Sequence, residues 1–193
     1  MKLVGIVGTN ADFSLNRILL QHIAKEYSDK VELELLEVRE VPLFDRPSDK
    51  DLPEAVKDIE AKIEEAEGVI FATPEYNHSI PAVLNALVEW LSFSSKKVLE
   101  NKATLVVGAS YGLLGSTRAQ QNMRNILHAP EVKAVTMPGQ EYLLGHAGEA
   151  FDDNGYLVYE DKRTELDQLM NDFTSFANLY NETHKQISRG EGK

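Results

Sequence analysis

Cysteine is absent from this chain of 193 residues. Its absence excludes disulfides, thiolate nucleophiles, and the zinc or iron–sulfur centres that cysteine holds. Histidine could still bind a metal, but the five histidines are scattered and lack the spacing of a ligand set. We therefore predict that the protein holds no metal. The histidines are His22, His78, His128, His146 and His184.

Long apolar runs are also absent, since no stretch approaches the roughly 20 residues of a membrane helix. The first residues run directly into an apolar segment, MKLVGIVG, and lack the layout of a signal peptide. Positive charge is scarce, with 20 Lys and Arg against 31 Asp and Glu, and the net charge of −11 disfavours binding to nucleic-acid phosphates. We therefore expect a cytoplasmic protein that binds neither membranes nor nucleic acid.

Short apolar runs, in contrast, alternate regularly with amphipathic helical patterns. They predict strands at 2–8, 31–38, 69–73, 103–109 and 132–136, with a helix after each one. This alternation predicts an α/β domain in which helices cover both faces of a parallel sheet. Right-handed crossovers and the chain length favour a flavodoxin-like three-layer sandwich with five strands in the order 2-1-3-4-5.

The end of the chain is predicted to be less regular. Residues 137–159 have no clean period and are expected to form an irregular excursion before the last helix at 161–185. We predict a single domain over 1–187 and a frayed tail over 188–193.

The first loop, residues 8–17, has neither Gly-x-Gly-x-x-Gly nor the Gly-Lys-Ser/Thr ending of a P-loop. It offers the polar side chains of Thr9, Asn10, Ser14 and Asn16 at the start of a helix. Backbone N–H groups and the helix dipole suit a phosphate there. The alternative is that Ser14 only caps the helix and Asn16 is solvated.

The second loop, residues 74–79, follows the third strand and has the sequence PEYNHS. A flat heteroaromatic ring could stack near Tyr76 and bind the backbone from Glu75 to His78. The alternative is a strand-to-helix turn that caps itself with Asn77 and Ser79.

The third loop, residues 110–116, follows the fourth strand. Gly112 and Gly115 permit close approach of the backbone to a ligand, or serve an ordinary connection with positive φ. Arg118, one turn later, could face a phosphate, a neighbouring subunit or solvent. Because the carboxyl ends of parallel strands meet at one edge, the three loops are expected to form one site.

A catalytic triad and a closely spaced carboxylate pair are both missing from the sequence. This favours a bound group that carries its own chemistry. A flavin would suit, because the protein then needs only to bind, orient and tune it.

The three loops together resemble the NADPH-dependent FMN reductase family. Gly8, Thr9, Ser14 and Asn16 match its Gly-Ser-x-Arg-x-x-Ser-x-Asn pattern, although Ala11 replaces the arginine. Pro74 to Asn77, Ser79 and Pro81 match Pro-Glu-Tyr-Asn-x-Ser-x-Pro, and Glu89 and Trp90 match the acid-Trp pair that follows. The third loop matches through Gly112, Gly115, Arg118, Ala119 and Gln120, with Ser116 in place of a glycine.

The resemblance implies FMN at the carboxyl edge of the sheet, with no catalytic side chain of the protein's own. The phosphate would contact Thr9, Ser14, Leu15 and Asn16. The isoalloxazine would contact Pro74, Glu75, Tyr76, Asn77, Ser110, Tyr111, Gly112 and Leu113. The loss of the arginine would weaken the hold on the phosphate or shift that task to Arg17.

The resemblance further implies a ping-pong reaction. NADPH, or NADH, would deliver hydride to the flavin, and a small acceptor such as a flavin, quinone or azo compound would then be reduced. A homodimer or homotetramer is expected, with Trp90 and Leu91 as candidate subunit contacts that could equally be core. Two alternatives remain open: a flavodoxin-type electron carrier without NAD(P)H oxidation of its own, and a flavin-free interaction protein on the same fold.

Overall fold

The computed structural model describes residues 1–48, 51–139 and 141–190. Its centre is a parallel sheet of buried apolar strands, in the order β2-β1-β3-β4-β5 predicted from the sequence. The strands are β1 (Lys2–Val7), β2 (Glu32–Glu37), β3 (Gly68–Ala72), β4 (Ala103–Ala109) and β5 (Val135–Thr136). β2 lies at the edge, where its alternating glutamates reach solvent.

Helices cover both faces of the sheet, as predicted for a three-layer sandwich. They are α1 (Leu15–Glu26), α2 (Glu54–Glu65), α3 (Ala82–Phe93), α4 (Thr117–Leu127) and α5 (Glu160–Gly190). Apolar residues of α2, α3 and α4 pack on one face, and those of α1 and α5 pack on the other. The core therefore has two apolar layers separated by the sheet.

The pairing at the outer edge of β4 differs from the prediction, which placed a single strand over 132–136 there. Only Val135–Thr136 pairs there, opposite Ala103 and Thr104. The carboxyl half of β4 pairs in parallel with a sixth strand, β6 (Tyr142–Leu144). β6 comes from the segment predicted to be irregular, and its three residues are too short for a periodic signal.

Two further expectations are revised by the structure. Trp90 and Leu91, considered as subunit contacts, are 3% and 1% exposed and belong to the core. α5 continues past the predicted end at Lys185 to Gly190, while residues 191–193 lie outside the described residues. The extent of the domain stays a prediction. No described helix is both long enough and apolar enough to cross a membrane.

Candidate functional site

A cleft of about 330 Å³ opens where the loops after β1, β3 and β4 meet. It is lined by Thr9, Phe13, Ser14, Leu15, Asn16, Pro74, Glu75, Tyr76, Ala109, Ser110, Tyr111 and Gly112. Every residue predicted from the sequence is present except Asn77 and Leu113. Phe13 and Ala109 line the cleft but were not predicted. An aromatic residue in an otherwise polar loop was a usable sequence signal for Phe13.

Asn16 ties α1 to the end of β4. Its side-chain Nδ2 donates to the Ala109 carbonyl at 3.0 Å, and its Oδ1 accepts from the Ala109 N–H at 2.9 Å. The side chain is only 2% exposed, so the alternative of a solvated asparagine is wrong. Asn16 thus fixes the distance between the first loop and the third.

Ser14 caps α1, as the sequence also suggested. Its Oγ accepts from the Arg17 N–H at 3.2 Å, which satisfies one of the unpaired donors of the first turn. The Ser14 hydroxyl can still donate its proton to a ligand, because the capping bond uses only a lone pair of the oxygen.

Thr9 joins the first loop to the second. Its buried hydroxyl lies 3.0 Å from the Tyr76 hydroxyl, and its Oγ1 also accepts from the Ala11 N–H at 3.2 Å. One hydroxyl therefore holds its own loop in shape and positions the tyrosine ring at the cleft.

The second loop is a tight two-residue turn. Tyr76 and Ser79 exchange backbone hydrogen bonds of 3.0 Å, and φ is 51° at Asn77 and 64° at His78. Positive φ at both central residues is the geometry of a type I′ turn. The turn exposes Asn77 and His78 at its tip, so a flavin contact at Asn77 stays a prediction.

This turn does not cap itself, contrary to the alternative considered above. α3 begins after Pro81 with no side-chain cap, and the Ser79 hydroxyl donates to Asn122 of α4 at 3.1 Å.

Glu75 caps α4 from the second loop. Its Oε2 accepts from the backbone N–H groups of Arg118 and Ala119 at 2.9 and 3.4 Å. Its Oε1 accepts from the Arg118 guanidinium at 3.2 Å. Arg118 is therefore committed to Glu75, and a carboxylate covers the positive end of this helix.

The third loop rests on the segment that contains β6. Ser110 N–H donates to Leu144 O at 3.0 Å, and His146 N–H donates to Gly112 O at 3.0 Å. Gly148 lies close under the exposed Tyr111 ring, where an added Cβ would be 3.0 Å from a ring carbon. Leu113 lines an adjoining cleft with Glu75, Ser110 and Gly112, and its role stays a prediction.

Arg17 lies behind the first loop. Its guanidinium pairs with both oxygens of Glu37 at 2.6 and 2.8 Å, and it donates to the carbonyls of Ala11 and Asp12. This hydrogen bond with Glu37 raises the pKa of Arg17. Arg17 is absent from the cleft lining, so the expectation that it replaces the missing arginine lacks support.

The donor set of the cleft fits a flavin. The start of α1 and two hydroxyls stand at one end, and aromatic side chains with exposed backbone stand at the other. Such an arrangement can bind a polar chain and a flat ring, and the expectation that the protein has no catalytic side chain of its own stays a prediction.

Comparisons with known proteins agree with this assignment. The sequence profile described as NADPH-dependent FMN reductase matches residues 1–149. The chain is 45% identical to NADH:(hydroxy)cinnamate reductase subunit CrdA of Vibrio ruber, over 93% of this chain and 88% of that protein. It is 44% identical to NADH-dependent flavin reductase subunit 2 of Lactobacillus johnsonii, over 92% of this chain and 97% of that protein.

A solved structure of a flavoenzyme is also similar to this chain. FerB, the flavoenzyme NAD(P)H:(acceptor) oxidoreductase of Paracoccus denitrificans, superposes with a TM-score of 0.84 at 25% identity. The match covers 93% of this chain and 98% of that one. These relatives favour an enzyme over an electron carrier or a flavin-free protein, and they identify FMN as the cofactor and NAD(P)H as the co-substrate. The chain belongs to the NADPH-dependent FMN reductase family, and it is an oxidoreductase that uses FMN to pass electrons from NAD(P)H to a small acceptor.

Proposed function

We propose that the cleft between the three loops is the FMN site and that NADH is the preferred reductant. The main observation in support of this proposal is that predicted residues from all three loops line one cleft. In this proposal the phosphate end lies at Thr9, Ser14, Leu15 and Asn16. The ring lies between Pro74 to Asn77 and Ser110 to Leu113.

Bound FMN would supply the hydride chemistry, and the residues of the chain would hold and orient it. The Thr9–Tyr76 hydrogen bond fixes the aromatic wall of the second loop. The bonds of Ser110 and Gly112 to the β6 segment fix the opposite wall. The open side of the cleft would leave room for a reductant and an acceptor to bind in turn.

The preference for NADH is supported by the pairing of two arginines that lie near the loops of the cleft, Arg39 and Arg118, with carboxylates. NADPH differs from NADH by a 2′-phosphate, which proteins usually bind with a cation. Arg39 pairs with Asp12 at 2.5 Å, and Arg118 pairs with Glu75 at 3.2 Å. The reductases of Vibrio ruber and Lactobacillus johnsonii described above both carry NADH in their names.

The acceptor in this proposal is a small flat molecule. Phe13, Tyr111 and Leu113 are exposed around the mouth of the cleft and would cover such a ring. The names of the relatives include a hydroxycinnamate reductase and a flavin reductase, which supports this class. The homodimer or homotetramer and the cytoplasmic location expected from the sequence stay predictions.

The test is an anaerobic absorption spectrum of the protein with FMN present, recorded after NADH or NADPH is added. We expect the visible flavin bands to bleach, with an initial rate about tenfold higher for NADH than for NADPH, a difference of about 1.4 kcal/mol. Equal rates would contradict the NADH preference. Absence of bleaching with either nucleotide would contradict the proposal as a whole.

A matched pair of variants locates the site. Gly112→Trp adds a large ring at a residue that lines the cleft, and no atom lies within 4 Å of the position of an added Cβ. Leu179→Trp adds a similar ring to the exposed face of α5. We expect only Gly112→Trp to abolish bleaching, and bleaching by that variant would place the flavin elsewhere.

A further inference from the structure

We propose that the flavin site makes little use of the terminal phosphate, so that riboflavin and FMN bind with comparable affinity and the flavin is an exchangeable ligand. The inference rests on the proposed function, because it takes the first loop as the phosphate end of the site. It extends that function by naming the ligand class: isoalloxazines with or without a charged tail.

The first observation is that the guanidinium of Arg17, behind the loop, already makes four hydrogen bonds. Arg17 is only 16% exposed and is held by both oxygens of Glu37. It also donates to Asp12 O at 2.9 Å and to Ala11 O at 3.0 Å. Moving it to a phosphate would break four hydrogen bonds, one of them part of a bidentate ion pair.

The second arginine near the loop also has protein partners, although its side chain is 41% exposed. Arg39 pairs with Asp12 at 2.5 Å and donates to Ala11 O at 3.3 Å. The positive charges of the two arginines are therefore offset by the negative charges of Glu37 and Asp12. Both guanidinium groups contact the carbonyl of Ala11, the position where the family pattern has an arginine side chain.

The third observation concerns the lining itself. Among the described residues that line the cleft, none is basic and the single charged one is Glu75. The hydroxyls of Thr9 and Ser14 already accept hydrogen bonds from Ala11 N–H and Arg17 N–H. A phosphate would thus meet neutral donors and the start of α1, without a charge-assisted bond from a side chain.

The lack of a free positive charge among the described residues of the first loop determines how much the phosphate contributes to flavin binding. Hydrogen bonds to an ionised partner are roughly twice as strong as neutral ones, and guanidinium adds a second parallel bond to a phosphate. A site without such a partner gains little from the phosphate beyond what the ring and sugar chain supply. The net charge of −11 further disfavours a dianion.

The first experiment is an equilibrium titration of the full-length, flavin-free protein with FMN and with riboflavin, followed by quenching of flavin fluorescence. No nucleotide is added, so the result does not depend on turnover. We expect the two Kd values to agree within about tenfold. FMN binding more than about a hundredfold tighter than riboflavin would overturn the inference.

Restoring a positive charge tests the cause. Ala11→Arg is expected to tighten FMN binding by about tenfold or more and to leave riboflavin binding unchanged. Ala11→Gln adds a neutral side chain of intermediate length and should change neither value. Equal tightening of both flavins by Ala11→Arg would show that the added side chain contacts the ring instead, which contradicts the proposed cause.

Removing a paired carboxylate gives an independent test. Glu37→Gln leaves Arg17 at the loop without its counter-charge, so FMN should bind more tightly and riboflavin should not. Glu34→Gln is the matched control: it removes an equal charge from β2, where Glu34 pairs with Lys62 at 3.0 Å. Tightening of FMN by both variants to the same extent would assign the effect to net charge and contradict the local account.

The outcomes separate this inference from the proposed function. Tight FMN and weak riboflavin binding would overturn the inference and leave the reductase site in place. Comparable binding of both flavins without bleaching by NADH would support the inference and overturn the proposed reductase activity. Binding of neither flavin would overturn both.

Discussion

At the scale of single residues, Ser116 shows what a departure from the family pattern does. It stands where the family has a glycine, and its φ is 61°. Left-handed backbone costs a residue with a Cβ roughly 1–2 kcal/mol. Its hydroxyl is also buried and makes no hydrogen bond to any described residue. A glycine at this position would avoid both the strained backbone and the unpaired buried hydroxyl.

We predict that Ser116→Gly raises the free energy of unfolding by about 1 kcal/mol, because the relief of strain exceeds the entropy cost of glycine. Urea denaturation measures the change. Ser175→Gly is the control, since Ser175 is exposed in the middle of α5 and this variant should lose about 0.5 kcal/mol. A loss of stability at Ser116 would show that its hydroxyl has a bound partner such as water.

Ser14 offers a second residue-scale test, of the cap on α1. Ser14→Ala removes the acceptor for Arg17 N–H and should lower the free energy of unfolding by about 1 kcal/mol. Ser14→Gly should cost only a few tenths of a kcal/mol, because glycine adapts to the cap conformation. Equal losses for the two variants in chemical denaturation would argue against the capping role.

At the scale of elements, the tie between the second loop and α4 is made by one carboxylate. Glu75→Ala leaves the N–H groups of Arg118 and Ala119 without their protein acceptor, so we predict a loss of about 1 kcal/mol in the free energy of unfolding. Arg118→Ala removes only the exposed half of the ion pair and should cost less than about 0.5 kcal/mol. If both variants lose the same amount in urea denaturation, the cap contributes nothing beyond the ion pair.

Elements also show where sequence reasoning succeeds. β1, β3 and β4 are continuous apolar runs buried on both faces, a signal that only a central parallel strand or a buried helix produces. The loops that follow them were therefore located correctly, and most of the cleft lining followed. The bond between Asn16 and Ala109 was not predicted, because no local pattern reveals a partner 93 residues away, and a ligand contact of Asn16 stays a prediction.

The failures have physical causes as well. β6 is three residues long, and its pairing depends on β4 having a vacant edge. The type I′ turn at Asn77 and His78 was hidden because neither central residue is glycine, the usual sign of that turn. Gly145 and Gly148 were the available clue to the packing of residues 141–150, since a Cβ at either one would crowd the third loop.

At the scale of the whole molecule, His22 links stability to pH. It lies on α1, is buried beside Phe151 and Tyr156, and its Nδ1 accepts from Leu157 N–H at 3.4 Å. Burial lowers the pKa of His22, while nearby Glu26 partly opposes the shift. The unfolded chain therefore takes up the proton more readily than the folded one.

We predict that the stability contributed by neutral, buried His22 is fully present above about pH 6.5, the pKa of histidine in the unfolded chain. This stability is lost as the pH falls through the lower folded-state pKa. His22→Asn keeps an acceptor but does not titrate, so its free energy of unfolding should fall less than that of the wild type between about pH 7.5 and about pH 5. Parallel slopes for the wild type and His22→Asn would exclude His22 as the cause.

The shared edge of β4 has a consequence for how the chain matures on the ribosome. The first and second loops can meet once α3 has emerged, but the third loop obtains its partners from Leu144, His146 and Ala147. A nascent chain that ends before these residues holds two walls of the cleft and an unsupported third. Under the proposed function, a chain cut short before β6 would lack a complete flavin site and should not retain the flavin.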